Sequence, residues 1–166
     1  MGRHDLRGQL DRLQRQGAPF EELLQAAVRL LHDSTPRFHW TGIYELFPHG
    51  VLRLGPFIGA PTDHVFIAEG QGVCGTAVAE RRNINVPDVT KVSNYLACST
   101  ATRAELVVLI RKGDTIFAQI DIDSHESGAF DDEAVALVEE VADWLAEAYA
   151  RREPAHVTPP AKRPAS

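Results

Sequence analysis

A chain of 166 residues, 44% of them hydrophobic, has the bulk for one ordinary globular domain with a core of its own. Its net charge of −6 leaves no basic face to neutralise phosphates, so nucleic acid is not an expected partner. Two cysteines are too few for a disulfide framework, and no stretch approaches the roughly 20 apolar residues that span a bilayer, so we expect a cytoplasmic protein with free thiols and no membrane association.

Residues 5–16 are polar and helix-compatible, and Gly17-Ala18-Pro19 breaks them. From Phe20 the apolar positions Leu23, Leu24, Ala27, Val28, Leu30 and Leu31 recur at helical spacing, until Pro36 ends the run. Residues 38–47 are aromatic and β-branched and read as a strand. Pro48-His49-Gly50 turns the chain, and Val51 to Ile58 returns as the hairpin partner. A short strand is expected near His64–Ile67, a small-residue helix over Val73–Glu80, and another short strand over Asn83–Val86. Residues 88–103 carry turn formers and read as a long loop with at most one helical turn. Such loops are uncommon in compact domains unless they serve a function. Ala104–Arg111 and Thr115–Asp123 form a second hairpin, and Phe130–Arg151 is the closing helix, with Asp131 and Asp132 suited to its positive end. Residues 153–166, rich in Pro, Ala, Lys and Arg, are expected to be disordered. Two hairpins with helices gathered at the termini make this an α+β chain, an antiparallel sheet with helices on one face.

Strand periodicity then sorts the polar residues. Trp40 and Tyr44 share a face, and so do Asp121 and Asp123. On the last strand Ile116, Ala118, Ile120 and Ile122 should point one way, and Phe117, Gln119, Asp121 and Asp123 the other. Two readings of the aspartates stay open. On an open face they are simply solvated. In a covered pocket their mutual repulsion raises at least one pKa, which suits proton donation near neutral pH. Cys98, in the long loop beside Ser99 and Thr100, is the candidate reactive thiol. Cys74, between Val73 and Gly75, reads as core packing. Trp40 and Tyr44 suit either a core or the aromatic wall of a small-ligand site. The histidines show no ligand spacing, so no metal centre is expected. Gly70-Gln71-Gly72 lacks the Lys-Ser/Thr of a phosphate loop and reads as a tight turn.

The motifs His39-Trp40-Thr41-Gly42-Ile43-Tyr44, Gly70-Gln71-Gly72-Val73-Cys74-Gly75-Thr76-Ala77, Val86-Pro87-Asp88-Val89, Ala97-Cys98, Glu105-Leu106-Val107-Val108 and Asp121-Ile122-Asp123-Ser124 together resemble the free methionine-(R)-sulfoxide reductases, which are single GAF domains. The likeness runs from about residue 20 to 148. It implies a GAF fold: a six-stranded antiparallel sheet, N- and C-terminal helices on one face, and a ligand pocket on the other. The expected organisation is a helical extension over 1–18, the GAF domain over 19–152, and the tail beyond. The resemblance also implies a homodimer, free methionine sulfoxide as substrate, no bound cofactor, and a thioredoxin-like external reductant. It assigns Cys98 as catalytic nucleophile, passing through a sulfenic acid. Glu105, Asp121 and Asp123 become the carboxylates that hold the amino group and the sulfoxide, with Glu105 or Asp123 as proton donor. Trp40, Tyr44 and Ala97 belong to the substrate pocket. Many members carry a third cysteine, which resolves the sulfenic acid, ten positions before the Gly-Val-Cys-Gly cysteine. Here that position is His64, leaving Cys74 as the candidate internal resolving thiol. A non-catalytic GAF module that binds a small ligand or senses oxidants is the alternative function.

Overall fold

The computed structural model describes residues 5–93, 95 and 100–152. Cys98, Ala97 and the segment 153–166 therefore lie outside the described residues.

Helix α1 (Leu6–Arg15) starts at Asp5, whose carboxylate accepts from the Gly8 N–H at 3.0 Å. Asp and Asn cap helices because a short side-chain oxygen can reach one of the four unpaired N–H groups of the first turn. Helix α2 (Phe20–Ser34) buries Leu23, Leu24, Ala27, Val28 and Leu31 along one stripe. Strand β1 (Trp40–Phe47) turns through Pro48–Gly50 into β2 (Val51–Ile58), and the short β3 (Phe66–Ala68) pairs alongside β2. Helix α3 (Gly72–Glu80) ends on Arg81, whose left-handed φ of 56° reverses the chain into β4 (Ile84–Val86). A 3-10 turn, Val89–Lys91, lies in the described part of the following loop. Strands β5 (Ala104–Lys112) and β6 (Thr115–Ser124) form the second hairpin. Helix α4 (Asp132–Arg151) closes the fold, with Asp131 accepting from the Ala134 N–H at 2.8 Å.

The six strands form one antiparallel sheet in the order β3-β2-β1-β6-β5-β4. Helices α1, α2 and α4 cover one face over an aliphatic core that includes Ile43, Leu106, Val108, Ile110, Ile120, Ile122 and Leu145. The Asp11 carboxylate accepts from the Trp144 indole N–H at 2.7 Å, and the Tyr149 hydroxyl donates to Glu45 at 2.9 Å, fixing α1 and β1 against α4. Among the described residues, helix α3 crosses the opposite face, over a second cluster built from Trp40, Tyr44, Leu52, Ile67, Val107 and Leu109.

Several boundaries differ from the sequence expectation. Phe38 and His39 precede β1 instead of belonging to it, because Phe38 is drawn into the helix-side core. The short third strand sits at Phe66–Ala68, slightly beyond its expected place, and α4 starts after Asp131 because that residue serves as its cap. The alternation expected of β6 fails at Ile116. A register shift between Ile110 and Arg111 pairs Ile110 with Ala118 but Arg111 with Ile116, leaving Phe117 as the extra residue of a bulge. Ile116 therefore joins the cluster under α3, while Phe117 turns to the helix side and stacks on Tyr149.

Candidate functional site

Register places the polar residues of the α3 face in rows. β6 lies between β1 and β5, so Asp123 stands opposite both Trp40 and Glu105. One step along, Asp121 stands opposite Gly42 and Val107, and then Gln119 opposite Tyr44 and Leu109. Period-two geometry puts all of these on one side of the sheet. The three acids are almost wholly buried, with Glu105 3% and Asp121 and Asp123 each 1% exposed. That decides between the two readings of the aspartates: the face is covered.

Cys74 reaches the same place from α3. It is buried within the cluster under that helix, and its Sγ donates to Glu105 Oε2 at 3.8 Å. One donor atom each from Cys74, Glu105 and Asp121 lies within 4.8 Å of the other two. Cys74 is thus core and site at once, where local sequence showed only a small-residue helix. The start of α3 is held there by Gln119, whose Nε2 donates to the Cys74 carbonyl at 3.1 Å. Close approach requires glycine at position 75, because a Cβ would collide with the Ala68 carbonyl oxygen.

The aromatic wall is built by the same logic. Trp40 stacks between Tyr44, at 6.3 Å and 28°, and Phe57, at 5.5 Å and 18°. Its ring lies across Gly42, where a Cβ would stand 2.5 Å from the indole, so only glycine leaves the ring its seat. Trp40 Nε1 donates to the Ala60 carbonyl at 3.0 Å, and the Tyr44 hydroxyl to the His64 carbonyl at 2.7 Å. Both polar tips therefore strap the segment between β2 and β3 over the site. A small cavity of about 10 Å³ is lined by Tyr44, His64, Gln71, Cys74, Glu105 and Asp121, among others. Position 64 is at the site, with a histidine there. Phe57, Gln119 and His64 complete the site around residues named from sequence. For Gln119 the signal was its place in the β6 alternation, and for Phe57 it was the stretch Leu54-Gly55-Pro56-Phe57-Ile58-Gly59, which also carries the family resemblance.

Burial governs the electrostatics. Desolvation first, then the charges of Asp121 and Asp123, hold the Glu105 carboxyl well above the usual range. Burial also raises Asp121, opposed by hydrogen bonding with Glu105 and Cys74. Glu105 Oε1 and Asp121 Oδ1 are buried with no hydrogen-bond partner. The arrangement can keep Glu105 as a neutral acid near neutral pH, able to donate a proton, and it presents acceptor oxygens to a cationic guest.

The model of the GAF domain family matches residues 19–149. The chain is 38% identical to the free methionine-R-sulfoxide reductase of Escherichia coli over 104 residues, 63% of this chain and 62% of that protein. Among solved structures, the type II free methionine-R-sulfoxide reductase of Thermoplasma acidophilum superposes with a TM-score of 0.72 at 38% identity, covering 78% of this chain and 94% of that one. The fRMsr of Staphylococcus aureus in its reduced form gives a TM-score of 0.76 at 35% identity, covering 86% and 91%. The chain is a GAF-domain protein of the free methionine-R-sulfoxide reductase family. For this family member, no helix among the described residues is long and apolar enough to cross a membrane.

Proposed function

We propose that the protein reduces free methionine-(R)-sulfoxide to methionine. The observation that carries this reading is the buried set of Glu105, Asp121, Asp123 and Cys74 beside the Trp40–Tyr44 wall. Three covered carboxylates with a thiol among them suit a guest that brings an ammonium and needs a proton, and an amino-acid sulfoxide does both. Asp121 and Asp123 take the ammonium. The indole face of Trp40, whose N–H is occupied by Ala60, offers an apolar surface to the methyl-sulfur end.

Chemistry follows from the groups. The Cys98 thiolate attacks the sulfoxide sulfur while Glu105 protonates the oxygen, and the oxygen passes to the cysteine as methionine leaves. Cys98 becomes a sulfenic acid. A second thiol condenses with it, releasing water and forming a disulfide, and a thioredoxin-like dithiol reduces that bond. With His64 at the usual resolving position, the second thiol is either Cys74 or the reductant itself. We further propose a cytoplasmic homodimer with no bound cofactor.

The test follows NADPH consumption with a thioredoxin system and separated epimers of free methionine sulfoxide, in wild type and Cys98→Ser. Turnover of the R epimer alone, abolished by the substitution, is the expected result. Activity with dithiothreitol but not with thioredoxin would place the defect in recycling. No turnover with either reductant would sink the enzyme reading and leave a non-catalytic GAF binding module.

A further inference from the structure

We infer that, when no amino acid occupies the pocket, Cys74, Glu105 and Asp121 bind one thiophilic divalent cation of the zinc class. Two observations carry this. The first is convergence: a sulfur and two carboxylate oxygens from α3, β5 and β6 lie within 4.8 Å of one another, with Cys74 Sγ and Glu105 Oε2 at 3.8 Å. In a tetrahedral zinc site, bonds of about 2.3 Å to sulfur and 2.0 Å to oxygen put donor pairs about 3.3–3.5 Å apart. Small rotations of the two carboxyl groups cover the difference. The second is that Glu105 Oε1, the other oxygen of that carboxyl, and Asp121 Oδ1 are buried without a hydrogen-bond partner, in residues only 3% and 1% exposed, so turning either oxygen toward a cation breaks no hydrogen bond. Unsatisfied buried acceptors are rare, and a bound cation satisfies them without a hydrogen bond.

The donor set selects the metal. Magnesium and calcium prefer all-oxygen shells, whereas a thiolate favours zinc and its mimics. Binding displaces the thiol proton of Cys74 and the carboxyl proton of Glu105 to solvent, so one thiolate and two carboxylates surround a dication and the site carries a net charge of −1. Affinity therefore rises with pH. The fourth position is open to water. The ammonium of an amino acid needs the same carboxylates, so cation and amino acid exclude one another. This exclusion rests on the reading under Proposed function, whereas the cation site itself does not.

Cobalt(II) is the probe, because its bond to a thiolate gives a near-ultraviolet charge-transfer band. Reduced, chelator-treated full-length protein is titrated anaerobically with cobalt, then with zinc. The expected result is one equivalent of cobalt bound with the sulfur band, displaced by zinc, retained in Cys98→Ser and lost in Cys74→Ser. Glu105→Gln should weaken binding by at least about tenfold, since removing even outer partners of a metal costs that much. Circular dichroism confirms that each variant is folded, and zinc should raise the melting temperature of wild type but not of Cys74→Ser. Absence of the band in wild type, or a band that survives Cys74→Ser, overturns the proposal. Added methionine should raise the apparent cobalt dissociation constant. Cobalt binding insensitive to methionine would overturn the shared-pocket claim. Reductase turnover is measured separately on chelator-treated protein, so failure of the activity and failure of the metal site give different results.

Discussion

The two faces of β5 and β6 are made of alternate residues of the same strands, yet they obey different rules. Leu106, Val108, Ile110, Ala118, Ile120 and Ile122 meet three helices in an aliphatic core. Glu105, Gln119, Asp121 and Asp123, interleaved with them, lie equally buried under α3. The first face gains from every atom it hides, while the second gives up carboxylate solvation for a shaped, water-poor site. A fold can carry a costly polar face because the other side of the same strands stabilises it. Active faces of this kind commonly store such local cost.

Substitutions on each face should separate these roles. Leu145→Ala removes a fully buried side chain from the helix face and should cost about 2–5 kcal/mol by chemical denaturation, with little effect on the pocket chemistry of the molecules that stay folded. An equal loss of affinity and stability would mean the faces are not separable. Gly42→Ala puts a Cβ against the Trp40 ring and should cost about 1–3 kcal/mol. Of the two tryptophans, Trp40 alone should change its emission, which Trp144→Phe in the background checks.

Glu105→Gln should act with the opposite sign. Its carboxyl ordinarily titrates near 4.5 and is held well above that in the fold, so the protonated form is favoured and stability falls as pH rises from about 4.5 to the raised value. The amide has no such titration. The variant should match wild type in stability below about pH 4.5 and exceed it by about 1–3 kcal/mol near neutral pH, while turnover drops roughly a hundredfold or more. Equal pH profiles for the two proteins would show that Glu105 is not held neutral. Tyr44→Phe removes the bond to the His64 carbonyl and should cost about 0.5–1.5 kcal/mol, raising KM more than it lowers kcat. A large kcat effect instead would give the hydroxyl a direct part in the chemistry.

Much of the fold was legible locally. The stripe of α2, the hairpins β1–β2 and β5–β6, and α4 with its acidic start are properties of short windows, where period and capping chemistry act between near neighbours. The departure at Ile116 was not legible, because a bulge is set by how β6 meets its partner and not by β6 alone. The pairing of Trp40 with Tyr44 and of Asp121 with Asp123 followed from strand alternation, but whether those pairs were covered did not.

Sequence alone determined the α+β class, the alternation that put the acids and aromatics on common faces, and the motifs that resemble one family of reductases. Only the tertiary structure decided that the acid face is buried, that Cys74 stands 3.8 Å from Glu105 across 31 residues of chain, and that the Trp40 and Tyr44 tips strap the segment ending at His64. The physical reason is range. Periodicity and capping are set within a few residues, whereas desolvation and pKa depend on which distant elements come to lie over a face.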